Sequence, residues 1–122
     1  MITPKEFIKI RNEKIEEQKE ERKRDIEEFI NQANLEIDKQ LTAGEPHYSI
    51  LESNVRIFIK NLKKEGKDYP SEGDICKKGC EVIRKEILKP YEEAGWSINV
   101  ERIRDEENGN RYILIKFLLP HR

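Results

Sequence analysis

No stretch of this 122-residue chain comes near 18 consecutive apolar residues, so no part of it reads as a membrane-spanning helix. A strong excess of one charge is also missing. Lys and Arg number 24 against 25 Asp and Glu, a net of −1. Residues 1–44 carry 9 basic and 11 acidic side chains, and residues 45–122 carry 15 and 14. Neither part has the cationic surplus of a strong phosphate binder. Cysteine is limited to Cys76 and Cys80, too few for a disulfide framework, and free thiols are expected. There is no phosphate-cradling glycine loop, no Ser-His-Asp order and no metalloprotease motif, and the carboxylates adjoin mainly along charged faces. The expectation is a protein without catalytic machinery or cofactor. The first residues lack the apolar core of a secretion signal, so the expected location is the cytoplasm.

What is there begins with charge in an unusual place. Glu16 to Asp25 reads Glu-Glu-Gln-Lys-Glu-Glu-Arg-Lys-Arg-Asp, without one apolar side chain, inside what its flanks predict to be a single helix. A helix polar on every side is not packed into its own core. Thr3-Pro4-Lys5-Glu6 starts that helix with a capping box and a proline in the first turn. Phe7, Ile8, Ile10 and Ile15 follow as a short apolar stripe. Within the charged run, Glu16/Lys19, Glu20/Lys23, Glu21/Arg24 and Glu20/Arg24 have the spacing of helix ion pairs, worth only ~0.2–0.5 kcal/mol each. An apolar face resumes at Ile26, Phe29, Ile30, Ala33, Ile37 and Leu41, and Gly44 ends it. The chain therefore divides into a helical arm, 1–44, partly exposed to solvent, and a body, 45–122. The isolated stripe Phe7, Ile8, Ile10, Ile15 is the expected partner or oligomer contact.

In the body, His47 to Leu51 reads as a strand. Ser53 is the expected cap of a helix with Val55, Phe58, Ile59 and Leu62 on its apolar face, stopped by Gly66. Ser71 or Asp74 is the expected cap of a third helix, 74–94, that carries Ile75, Cys76, Cys80, Ile83, Ile87 and Tyr91. Pro90 lacks the amide that would bond Glu86 and should kink or reset this helix, and Gly95 should end it. Strands at Trp96–Arg104 and Arg111–Leu118 flank Asn108-Gly109, a two-residue turn signal. A turn at those two residues pairs Val100 with Phe117, Glu101 with Lys116 and Arg102 with Ile115. The fold class is α+β: a long N-terminal helix, then a compact body of two helices and a small three-stranded antiparallel sheet.

Cys76, Cys80, His47 and His121 have the chemistry of a zinc site, but no Cys-x-x-Cys knuckle is present, and two apolar core thiols are the favoured reading. Gly79, mid-helix, allows a close approach or merely tolerates its position. Trp96 suits packing between helix and sheet better than a binding anchor. Of the tyrosines, only Tyr48 and Tyr112 lie on strands and are candidates to stack on a base or ring. The element order helix-strand-helix-helix-strand-strand is that of a winged helix, with helix 74–94 as reader and hairpin 97–118 as wing. Lys77, Lys78, Arg84, Lys85, Arg102, Arg104 and Arg111 are the contacts on that alternative. The long loop between the second and third helices, the acidic tip Asp105-Glu106-Glu107 and the net charge weigh against it.

Three segments carry a resemblance: Gly44-Glu45-Pro46-His47-Tyr48-Ser49-Ile50, Ile87-Leu88-Lys89-Pro90-Tyr91-Glu92-Glu93-Ala94-Gly95-Trp96, and Asn108-Gly109-Asn110-Arg111-Tyr112-Ile113. Over 44–118 the pattern resembles small uncharacterised accessory proteins of bacteriophages of Gram-positive hosts, from which the long N-terminal helix departs. The resemblance implies a factor that acts in host cytoplasm by binding a host or phage component, in host takeover or counter-defence. The leading expectation is a non-enzymatic homo-oligomer that binds or blocks a host or phage protein or a small molecule. Membrane is not an expected partner, and nucleic acid is the alternative.

Overall fold

Thr3 and Glu6 start the first helix as the spacing requires. The Thr3 hydroxyl accepts the Glu6 amide at 3.2 Å, and the Glu6 carboxylate accepts the Thr3 amide at 3.4 Å. The computed structural model describes residues 1–67, 69 and 75–119. Helix α1 (Pro4–Thr42) has 39 residues, about 58 Å of helix. It ends where Gly44 takes φ 81° and the Glu45 amide reaches back to the Gln40 carbonyl at 2.8 Å, a six-to-one closure open to glycine without strain. The same closure ends two other helices, with Lys67 bonding Leu62 and Trp96 bonding Tyr91.

Strand β1 (His47–Leu51) runs directly into helix α2 (Glu52–Lys64). The cap expected at Ser53 is displaced: α2 begins two residues earlier than that cap implies, Leu51 is its cap, and no side chain bonds its first amides. The expected caps Ser71 and Asp74 lie outside the described residues. Helix α3 (Ile75–Ile83) passes through a π-type turn (Arg84–Leu88) into helix α4 (Lys89–Glu93). Pro90 sits at the start of α4. Its missing amide and its ring are incompatible with an α-turn onto Glu86, and the widened turn before it takes up the mismatch.

Strands β2 (Ser97–Arg104) and β3 (Arg111–Leu118) form the hairpin, and β1 lies on the other side of β3, giving an antiparallel sheet in the order β1-β3-β2. The fold is α+β, with the long helix first. The hairpin register differs from the expected one by two residues. Val100 faces Ile115, Arg102 faces Ile113 and Ile98 faces Phe117. A two-residue turn of the type Asn-Gly favours needs positive φ at both residues, and no described non-glycine residue has it. Of Asn108 and Gly109, only Gly109 is left-handed, at φ 74°. Asp105 and Asn108 instead accept the amides of Glu107 and Asn110 at 2.8 Å each and hold a wider loop, closed by the Asp105 amide on the Asn110 carbonyl. A shift of two preserves the faces. Ile98, Ile113, Ile115 and Phe117 still point into the core, and Glu101 still reaches Lys116 at 3.1 Å, now diagonally. Leu119, just past the end of β3, is exposed.

The core joins Val55, Phe58, Ile59 and Leu62 of α2 to Val82, Ile83, Ile87 and Leu88, the inward face of the sheet, and Ala33 and Ile37 of α1. Phe29 of α1 stacks on Phe58 at 4.3 Å between ring centres. Tyr91 and Trp96 meet Phe117 edge-on at 5.5 and 5.6 Å. The second half of α1 is thus part of the packed body.

Candidate interaction site

Helix α1 changes character at Arg22. From Ile26 onward one face is covered by the body, whereas every residue from 1 to 21 is exposed. Phe7 and Ile15 keep 55% and 54% of their surface in water, and Ile8 and Ile10 are exposed beside them. The structure leaves these four candidate contacts exposed on one uncovered stretch of helix, Ile8 and Ile15 on one side and Phe7 and Ile10 turned away from them. The expected ion pairs of the charged run do not form. Among the described residues, the arm makes the exposed pair Lys14–Glu17 at 3.5 Å. Arg22, from within the run, turns to the body and donates to the Lys64 carbonyl at 3.2 Å, with Glu65 at 3.4 Å. A guanidinium there meets the negative end of α2.

A second surface lies where α1, β1, α2 and the hairpin loop converge. It is an open groove of about 620 Å³ walled by Phe29, Ile57, Tyr48 and Tyr112 and by the carboxamides of Gln32, Asn54, Asn61 and Asn110. Four consecutive residues of β1, Tyr48 to Leu51, line it. Side chains of a strand alternate faces, so a run of neighbours means that the strand's edge faces the groove. Phe117 donates its amide to the Pro46 carbonyl at 2.7 Å. Bonded positions alternate along an antiparallel ladder, so Tyr48 and Ile50 address β3 and Ser49 turns its main-chain groups the other way. An extended chain is the shape such an edge accepts.

The residues proposed for nucleic acid are dispersed by their partners. Arg102, on the same strand face as Ile98 and Val100, forms a two-point pair with Glu52, at 2.6 Å from Nε and 3.2 Å from Nη2. Glu52 is 4% exposed and also takes Arg56 at 2.9 Å. The Arg102 hydrogen bond holds the Glu52 carboxyl below its usual range, with Arg56 and Arg111 adding to the pull against burial. Arg84 is paired with Glu92 at 3.0 Å. Lys85 sits 5.7 Å over the Tyr69 ring, whose hydroxyl bonds Glu86. Lys78, Arg104 and Arg111 are exposed, and the side chain of Lys77 lies outside the described residues. Sequence reasoning missed Glu52 as the partner of Arg102. The signal was present in the period of two, which places Arg102 inward with Ile98 and Val100, where a charge needs a counter-charge.

Cys80 is a half-buried free thiol, and burial pushes its pKa up. His47 is exposed beside Glu45. The side chain of Cys76 and His121 lie outside the described residues, and among those described no three His, Cys, Asp or Glu side chains cluster to hold a metal. Gly79 is buried in α3. No described helix is long and apolar enough to cross a membrane. No family model, curated protein or solved structure matches this chain.

Proposed function

We propose that this chain is a non-enzymatic interaction protein that uses the first half of α1 to contact another protein chain and self-associates through it. One observation carries the reading: Phe7, Ile8, Ile10 and Ile15 are left in water on a helix whose own second half is covered by the body. Apolar side chains grouped on an otherwise polar helix mark a contact face. On the phage resemblance, the assembled protein would bind or block a host component in host takeover or counter-defence, working in the host cytoplasm.

Sedimentation of the full chain against a Phe7→Ser/Ile8→Ser/Ile15→Ser variant tests this. The full chain should sediment as a dimer or larger at tens of micromolar, and the variant as a folded monomer. A monomeric parent that captures no partner, with the arm still helical, would remove the basis of the reading.

A winged-helix nucleic-acid binder is the second reading. It is favoured by the helix-strand-helix-helix-strand-strand connectivity with β1 beside β3, which presents α3 next to a hairpin. The engagement of Arg102 and Arg84 within the chain and the acids at the hairpin tip weaken it. Salt-dependent retardation of a DNA duplex, lost on Lys78→Ala/Arg104→Ala/Arg111→Ala, is the outcome that would promote it.

A further inference from the structure

The uncovered stretch of α1 carries its charge in two blocks on one side. Lys5 and Lys9 come first, and Glu16 and Glu20 follow on the same flank. None of these four has an ion-pair partner within the chain among the described residues, although cations and carboxylates are dense around them. Such a flank repels a parallel copy, lysine on lysine and glutamate on glutamate, and complements an antiparallel one.

Resting on the reading of α1 as a contact arm, we propose that its occupant is the same stretch of a second copy, laid antiparallel. Lys5 of each chain then meets Glu20 of the other, and Lys9 meets Glu16. That offset sets residue 4 against residue 21, so the overlap uses the whole uncovered length, about 27 Å of helix. It stops at Arg22, where α1 becomes engaged with its own body. The same offset brings Ile15 of each chain within about 3 Å along the axis of Ile8 of the other, on the side of the helix that adjoins the charged flank. The two bodies stand at opposite ends of the pair.

Charge reversal in the full chain tests the arrangement, with helix content followed by circular dichroism to show that each variant folds. Lys5→Glu/Lys9→Glu and Glu16→Lys/Glu20→Lys should each weaken self-association by about tenfold or more, because like charges then face each other. The fourfold variant that combines them should recover self-association, since its blocks are exchanged but still complementary. Mixed with the parent under differential fluorescent labelling, it should pair with itself and refuse the parent. A fourfold variant that prefers the parent would establish a parallel pair and overturn the antiparallel arrangement while leaving the arm as the interface. Self-association unchanged in every charge variant but lost in Phe7→Ser/Ile8→Ser/Ile15→Ser would likewise sink the charge pairing and spare the arm. A parent that stays monomeric throughout would show that a second copy is not the occupant.

Discussion

The two halves of α1 are equally helical and differ in everything else. The half from Ile26 to Leu41 carries six apolar residues in helical register and disappears into the body, with Ile37 fully buried and Ala33 nearly so. The half before Arg22 carries four and buries none of them. Its Ile8 and Ile15 lie seven residues apart, close to two turns, so the stripe has the phase of a contact face but too little area to fold against anything local. A helix propagates through both halves because backbone hydrogen bonding and good helix formers ask for no packing. Helix periodicity alone therefore does not separate a face that serves the fold from a face kept for another chain. Apolar density does.

The largest effect expected on this contrast comes from the body half. Phe58 is 2% exposed and stacked on Phe29. Phe58→Ala should cost ~3–5 kcal/mol in urea or thermal unfolding, a large share of the ~5–15 kcal/mol that holds a domain folded. Loss of the first half of α1 should do nothing of the kind.

Next is the pair between α2 and β2. Glu52→Gln leaves Arg102 and Arg56 facing a neutral amide and should cost ~2–4 kcal/mol at neutral pH. The sign of the pH dependence follows from the depressed pKa of Glu52. Its contribution is present above the unfolded carboxylate range and is lost as the pH falls through the lower folded value. The parent should therefore lose stability on acidification below about pH 4 more steeply than the Gln variant. Parallel curves would show that the pair contributes no net stabilisation.

A smaller effect is expected where α4 meets α1. The Tyr91 hydroxyl donates to Asp38 at 2.9 Å and lies 3.2 Å from the Asn34 carbonyl. Burial, and then the Asp38 bond, raise its pKa. Tyr91→Phe keeps the ring on Phe117 and should cost ~1–2 kcal/mol, read by denaturant midpoint.

The smallest effect on stability should come with the largest on assembly. Phe7→Ala should leave the melting temperature of the body within about a degree at high dilution, and it should shift the association midpoint to higher concentration. If it lowers the melting point as much as Phe58→Ala at every concentration, the first half of α1 folds against its own body and the contrast between the halves is void.

The sequence by itself determined the features settled within one or two turns. Thr3 to Glu6 complete their capping bonds inside four residues. Gly44, Gly66 and Gly95 end helices by closures that span six. The limits of β1 and the inward faces of β2 and β3 follow from composition and a period of two, and survive a shift in register. The exposed stripe at Phe7 to Ile15 was legible for the same reason, since a polar run of ten residues cannot supply cover. The hairpin register was a local choice too, between Asp105 and Asn108 bonding their own loop and the turn Asn108-Gly109 suggests, and the pattern did not rank the two. The tertiary structure alone decided the partners of the charges. Arg102 was drawn to Glu52 across 50 residues and Arg22 to the end of α2 across 42, and local pattern marks such positions as polar without naming their partners. A capping bond costs the entropy of one turn, whereas a charge pair between distant segments forms only after the core has brought them together. For that reason the starts and stops of the helices were readable, and the partners of their charges were not.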